Sequence, residues 1–178
     1  MLLQTGHGHA AGGAASRINL RPAGWHAYNI GRIEGGTALY NLDFGPDSLP
    51  HESGVLADRV NFKKGCYLGQ EIVARMHSRG HSKRSLVALK CEVTDPAAPA
   101  HDRPQPETGS QVRPADGPDA EPIGVVTSST LSPMLGWTPI CLAAVKPGFE
   151  KPGTTLLIDA QDQRVRATVQ PNLMFWHR

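Results

Sequence analysis

Cys66 is the residue of this 178-residue sequence best placed to do chemistry. It stands in Lys63-Lys64-Gly65-Cys66-Tyr67-Leu68-Gly69, just ahead of a stretch that reads as a helix. A helix N-terminus and neighbouring ammonium groups favour the thiolate of a cysteine, the form that acts as nucleophile, redox centre or metal ligand. Gly65 and Gly69 on either side leave room for a ligand or a backbone to approach. The competing use of such a residue is a small buried packing thiol. Cys91 and Cys141 fall inside strand-like runs and read as core.

Charge singles out the same stretch. Arg59, Lys63, Lys64, Arg75, Arg79, Lys83 and Arg84 face one acid, Glu71, giving +6 over 59–84 in a chain of net charge +2. Such a field attracts phosphate, nucleic acid or a polycarboxylate, although a solvated basic face is the plainer reading. His77 and His81 share the i,i+4 spacing of helical metal ligands. Gly80 between them is expected to end the helix and no third ligand is evident, so no metal site is expected. There is no nucleophile elbow, phosphate-binding glycine loop or HExxH. Phe175, Trp137 and Trp176 read as barrel core or rim before they read as platforms for a base or pteridine.

Several elements must position these residues. Trp25 to Glu34 reads as a short helix with Tyr28, Ile30 and Ile33 as its apolar positions, stopped by Gly35-Gly36. Residues 37–50 carry loop chemistry in Asp43, Gly45, Pro46, Asp47, Ser48 and Pro50. Residues 51–60 read as a short helix or turn. Gly69 to Arg79 reads as a helix, with Ile72, Val73 and Met76 on one apolar stripe and Glu71 and Arg75 as an i,i+4 pair. Gly80 supplies its cap. Strands are expected at Ser85–Cys91, Ile123–Thr130, Pro139–Val145, Thr154–Asp159 and Arg164–Val169, with a short one at 110–113 inside a proline-rich acidic loop over 92–122. The reading is an α+β chain: a lead at 1–24, a helical part at 25–82 and a small antiparallel β-barrel or sandwich at 83–178.

Composition excludes other classes. Gly plus Pro is 34 of 178, about 19%, which argues for many turns and against a helical bundle. Three unclustered cysteines argue against a disulfide scaffold and for a reducing compartment. No apolar run reaches the length of a membrane span, and no secretory signal is recognisable. The acid-poor start with Arg17 and Arg21 has some transit-peptide character, but its glycines favour a loose lead. Cytoplasm is therefore the expected location, with the mitochondrial matrix as the alternative.

Lys64-Gly65-Cys66-Tyr67-Leu68-Gly69-Gln70-Glu71 resembles the K-G-C-[FY]-x-G-Q-E signature of the YgfZ family, folate-binding relatives of the aminomethyltransferase (T-protein, GcvT) of glycine cleavage. Arg32-Ile33-Glu34-Gly35-Gly36 looks like that family's R-[IL]-E-A-G, and Leu49-Pro50-His51-Glu52 like its L-P-x-E. Gly124-Val125-Val126-Thr127-Ser128 looks like its barrel strand. The resemblance covers about residues 25–178. It implies the later part of a GcvT-like folate-binding domain followed by the C-terminal β-barrel. It also implies a tetrahydrofolate cofactor and a role in iron–sulfur cluster assembly or repair, including that of enzymes that thiolate tRNA.

By position, Cys66 is the functional thiol the resemblance implies. Arg32, Lys63, Lys64, Gly65, Tyr67, Gly69, Gln70 and Glu71 are its folate-site residues, with the cations suited to a glutamate tail. Nothing here corresponds to roughly the first 130 residues of that family, so the folate-binding domain is expected to lack strands and expose an unpaired edge. Iron–sulfur enzymes or assembly factors are the implied clients, without classical turnover by the chain itself. The alternatives are a folate-dependent aminomethyltransferase, a module that binds tRNA or a protein client through the +6 segment, and a shortened chain with no independent activity.

Overall fold

The computed structural model describes residues 22–54, 56–80, 82–117 and 119–176. The expected lead over 1–24 therefore lies outside the described residues except for 22–24, and so does His81. Among the described residues three helices, α1 (Trp25–Glu34), α2 (Leu56–Arg59) and α3 (Gln70–Arg79), precede six strands. These are β1 (Ser85–Cys91), β2 (Gln111–Pro114), β3 (Gly124–Ser132), β4 (Thr138–Val145), β5 (Thr155–Ala160) and β6 (Gln163–Val169). The strands close into an antiparallel barrel in the order β1-β4-β3-β2-β5-β6. This is the α+β organisation expected, and closure leaves the barrel without a free sheet edge.

Side-chain alternation makes two cores from one barrel wall. Val87, Leu89 and Cys91 of β1 and Cys141, Ala143 and Val145 of β4 point inward, where Val112, Val126, Leu156, Ile158 and Val169 meet them. Leu86, Ala88, Ile140 and Leu142 point outward and are covered by Ile33 and Phe175. β1 and β4 thus read as almost continuous apolar runs because both faces are buried. Cys91 and Cys141 are core residues, as expected, and the hydrogen bond between the two thiols, with burial second, pushes the Cys141 thiol well up. Ile33 is fully buried at the seam between α1 and the barrel.

The region before the barrel holds helices and turns. The segment 37–49 is loop, a 3-10 turn follows at Pro50–Glu52, and α2 is one turn long. Among the described residues before Ser85 there is no strand, so the expected unpaired edge is not formed there. The apolar stripe expected on α3 needs correction. Val73 is buried but Ile72 is 58% exposed, because the helix offers only a narrow seam to its neighbour.

Candidate functional site

α1 is joined to the barrel by a buried polar network. The Arg32 guanidinium donates from Nη1 to Asp43 Oδ2 at 2.6 Å, from Nη2 to Ser128 Oγ at 2.5 Å and from Nε to Asn29 Oδ1 at 2.8 Å. Nη1 also reaches the Thr37 carbonyl at 3.3 Å. Asp43 is fully used as well. Its Oδ2 also accepts the Leu39 N–H, and its Oδ1 accepts from the Thr127 and Ser128 hydroxyls at 2.7 and 2.6 Å. Two successive residues of one strand can face the same carboxylate because the β3–β4 register shifts between Val126 and Ser128. A bulge of this kind re-aims side chains that regular alternation would send to opposite faces.

Glu34, two residues along, makes a second buried anchor. Ser132 donates to Glu34 Oε1 at 2.5 Å, and the Met134 N–H reaches the same oxygen at 3.3 Å. The Glu34 carbonyl accepts the Phe175 N–H, bringing the C-terminal segment against the end of α1. Gly36 makes that approach possible. A Cβ there would lie 2.5 Å from the Leu173 carbonyl carbon and 2.6 Å from the Met174 nitrogen, and φ is +68°. Glu52 plays a similar part further on, accepting the Leu49 and Lys83 backbone N–H groups at 3.1 Å each. The R-I-E-G-G and L-P-H-E stretches thus tie the helical part to the barrel.

The Cys66 loop lies in the open. Cys66, Lys63 and Lys64 are all exposed. The loop is shaped locally: the Lys63 N–H bonds Asn61 Oδ1 at 2.8 Å, and Lys64 Nζ sits 4.9 Å from the Tyr67 ring centroid. Gly69 starts α3 at φ +86°, a conformation other residues adopt with strain, and the helix therefore begins at Gln70 rather than Gly69. Gly65 has nothing within 4 Å of where a side chain would go. Glu71 pairs with Arg75 at 2.8 Å, as its spacing suggested, with both side chains well exposed. Gly80 closes the helix in an extended conformation, where a Cβ would overlap Met76.

The expected site residues thus fall into two groups. Lys63, Lys64, Gly65, Cys66, Tyr67, Gly69, Gln70 and Glu71 form one continuous loop and helix start. Arg32 belongs to the buried anchor, and no hydrogen bond or ion pair connects it to that loop. Among the described residues, neither Lys63 nor Lys64 has a carboxylate partner. Asp43 and Ser132, which complete the anchor, carried no local signal in the sequence. Their partners stand 11 and 98 residues away. The nearest hint was an aspartate flanked by Leu42 and Phe44. Among the described residues no cluster of His, Cys, Asp and Glu could hold a metal ion, and no helix is long and apolar enough to cross a membrane.

Residues 84–175 match the family described as the glycine cleavage T-protein C-terminal barrel domain. An aminomethyltransferase from Synechococcus sp. is 34% identical over 149 residues, 83% of this chain and 36% of that protein. A mitochondrial iron-sulfur cluster assembly factor IBA57 homolog from Phaeosphaeria nodorum is 28% identical over 176 residues, 89% of this chain and 43% of that protein. The crystal structure of aminomethyltransferase T from Bartonella henselae superposes with a TM-score of 0.65 at 22% identity, over 84% of this chain and 38% of that one. The chain thus spans about two fifths of the length of these relatives.

Proposed function

Because the chain belongs to the glycine cleavage T-protein C-terminal barrel family, we propose that it is a folate-binding accessory protein of iron–sulfur cluster assembly or repair. Cys66 is its working thiol. The observation that carries this reading is the exposed Cys66 in a loop with two lysines that have no carboxylate partner among the described residues. A thiol held out to solvent can meet a second protein, and unpaired ammonium groups beside it attract anionic groups. Similarity to a protein named for iron–sulfur cluster assembly supports the reading.

Tetrahydrofolate is the proposed cofactor, and the residues present fit its glutamate tail. Lys63 and Lys64 hold the tail carboxylates, while Gly65, Tyr67, Gly69, Gln70 and Glu71 shape the adjoining surface. Arg32, whose three nitrogens are engaged within the chain, acts by holding α1 in place. When bound, a tetrahydrofolate supplies one-carbon or reducing chemistry. Clients are iron–sulfur enzymes or assembly factors, tRNA-modifying ones among them, in the cytoplasm or the mitochondrial matrix.

A second reading, aminomethyl transfer to tetrahydrofolate, is favoured by the 34% identity to an aminomethyltransferase. One anaerobic experiment addresses both: the chain is titrated with tetrahydrofolate and 5-formyl-tetrahydrofolate, followed by tryptophan fluorescence. Saturable binding that weakens about tenfold in Lys63→Ala/Lys64→Ala supports the proposal, and no binding by the folded chain contradicts it. Formation of methylene-tetrahydrofolate from an aminomethyl donor would favour the second reading.

A further inference from the structure

α3, the helix that follows Cys66, packs against the 3-10 turn at Pro50–Glu52. Aromatic rings make the junction. The His51 imidazole on that turn lies 6.1 Å, centroid to centroid, from the His77 imidazole on α3. Phe62 in turn stacks on His77 at 4.1 Å, with planes inclined by 25°. Both ring nitrogens of His51 are shut off from solvent and, among the described residues, lack a hydrogen-bond partner. Holding a neutral ring in that state is costly, and holding a protonated one is costlier, since an unpaired charge loses its hydration.

Among the described residues, the groups that face His51 leave such a charge poorly compensated. His77, the titratable group on α3 beside it, is of like kind. Glu52, on the same turn, has both carboxylate oxygens committed to the Leu49 and Lys83 backbone N–H groups. Glu150 lines the same cavity of about 380 Å³ and accepts the Gly148 N–H. The other polar residues lining that cavity, Ser85, Gln170 and Asn172, are neutral.

We propose that this ring junction is a pH-sensitive latch. α3, and with it the Cys66 loop, is docked while the His51 ring is neutral and is released as that ring takes up a proton. Burial first and His77 second lower the His51 pKa below its ordinary value, with Glu52 opposing them. A proton is therefore bound less tightly in the docked state than in the released one. Docking is complete above the ordinary histidine range near ~6.5. It weakens as pH falls from there toward the lowered docked value. The regulatory meaning of release rests on Cys66 being the working thiol, whereas the latch itself can be read without any functional assay.

The test is hydrogen exchange of the full chain between pH 7.5 and 5.0, with rates corrected for intrinsic pH dependence. Protection of the α3 amides is expected to fall about tenfold for each unit by which the docked pKa lies below the free one. The β1 and β4 amides serve as the unaffected reference. His51→Phe/His77→Phe, which keeps rings but carries no titratable proton, is expected to hold α3 protection at pH 5.0. The His51 imidazole titration, followed by NMR in the unmodified chain, does not depend on that variant folding and is expected below the ordinary value. A pH-independent α3, an equal loss of protection in the folded double variant, or a His51 that titrates at or above the ordinary value would each overturn the latch.

Discussion

Arg32 and Asp43 form a buried ion pair, Nη1 to Oδ2 at 2.6 Å, with side chains 3% and 0% exposed. The pair joins α1 to the loop that follows it, and the Ser128 hydroxyl extends it into the barrel by bonding both partners. An arginine so placed is a positioning residue. It fixes the helical part on β3 and leaves its guanidinium with no free edge.

Removal of one partner should therefore be costly. Arg32→Ala or Asp43→Ala leaves the other charge buried and unpaired, with an expected loss of about 3–5 kcal/mol. Urea denaturation followed by tryptophan fluorescence reads it directly. Lys64→Ala, at an exposed site, should change stability by less than about 0.5 kcal/mol. Loss of folate binding in an Arg32 variant would need to be separated from this loss of stability.

Ser132→Ala tests the second anchor. It removes the hydroxyl that donates to Glu34, leaving a buried carboxylate with the Met134 N–H alone on that oxygen. The expected cost is about 1–3 kcal/mol. For a chain of this size that is roughly 2–4 °C of Tm per kcal/mol, readable by calorimetry.

Three glycines should behave differently under alanine substitution. Gly36→Ala meets backbone atoms of Leu173 and Met174 at a positive φ and should cost well over about 1 kcal/mol. Gly69→Ala has open space but a left-handed backbone, so about 1–2 kcal/mol is expected. Gly65→Ala has neither constraint and should stay within about 0.5 kcal/mol. A loss of binding or rescue in Gly65→Ala without a shift in urea midpoint would identify Gly65 as a contact residue.

Much of the fold was legible in the sequence, and the reason is local chemistry. α1 and β1 fall on their expected bounds because Gly35-Gly36 stops one, and β1 sets off after the turn residues that follow α3. The short strand in the acidic loop was readable at 110–113 and is found at Gln111–Pro114. A small antiparallel barrel was expected, but the strand pairing that closes it was not readable. Closure depends on β2 pairing with both β3 and β5, a long-range choice that proline-rich flanks disguise.

The candidate site divides in the same way. The Cys66 loop is contiguous and announced itself through charge, glycines and a signature. Arg32 was singled out as a folate-site residue and not as an anchor, and its partners were not readable, since Asp43, Thr127 and Ser128 acquire their roles only when a bulge brings two hydroxyls to one carboxylate. The reading of Ile72 failed because periodicity marks a face without saying how much of it a neighbour covers.

The proposed role of Cys66 as the working thiol is tested by one comparison. The chain and its Cys66→Ala variant are expressed at matched levels in cells defective in a related iron–sulfur accessory protein, and the activity of an iron–sulfur enzyme is assayed. The side chain is exposed, so the variant should keep the parent's urea midpoint within about 0.5 kcal/mol. Rescue by the parent chain is expected, and at least tenfold less by the variant. Equal rescue by a folded Cys66→Ala chain would contradict that role.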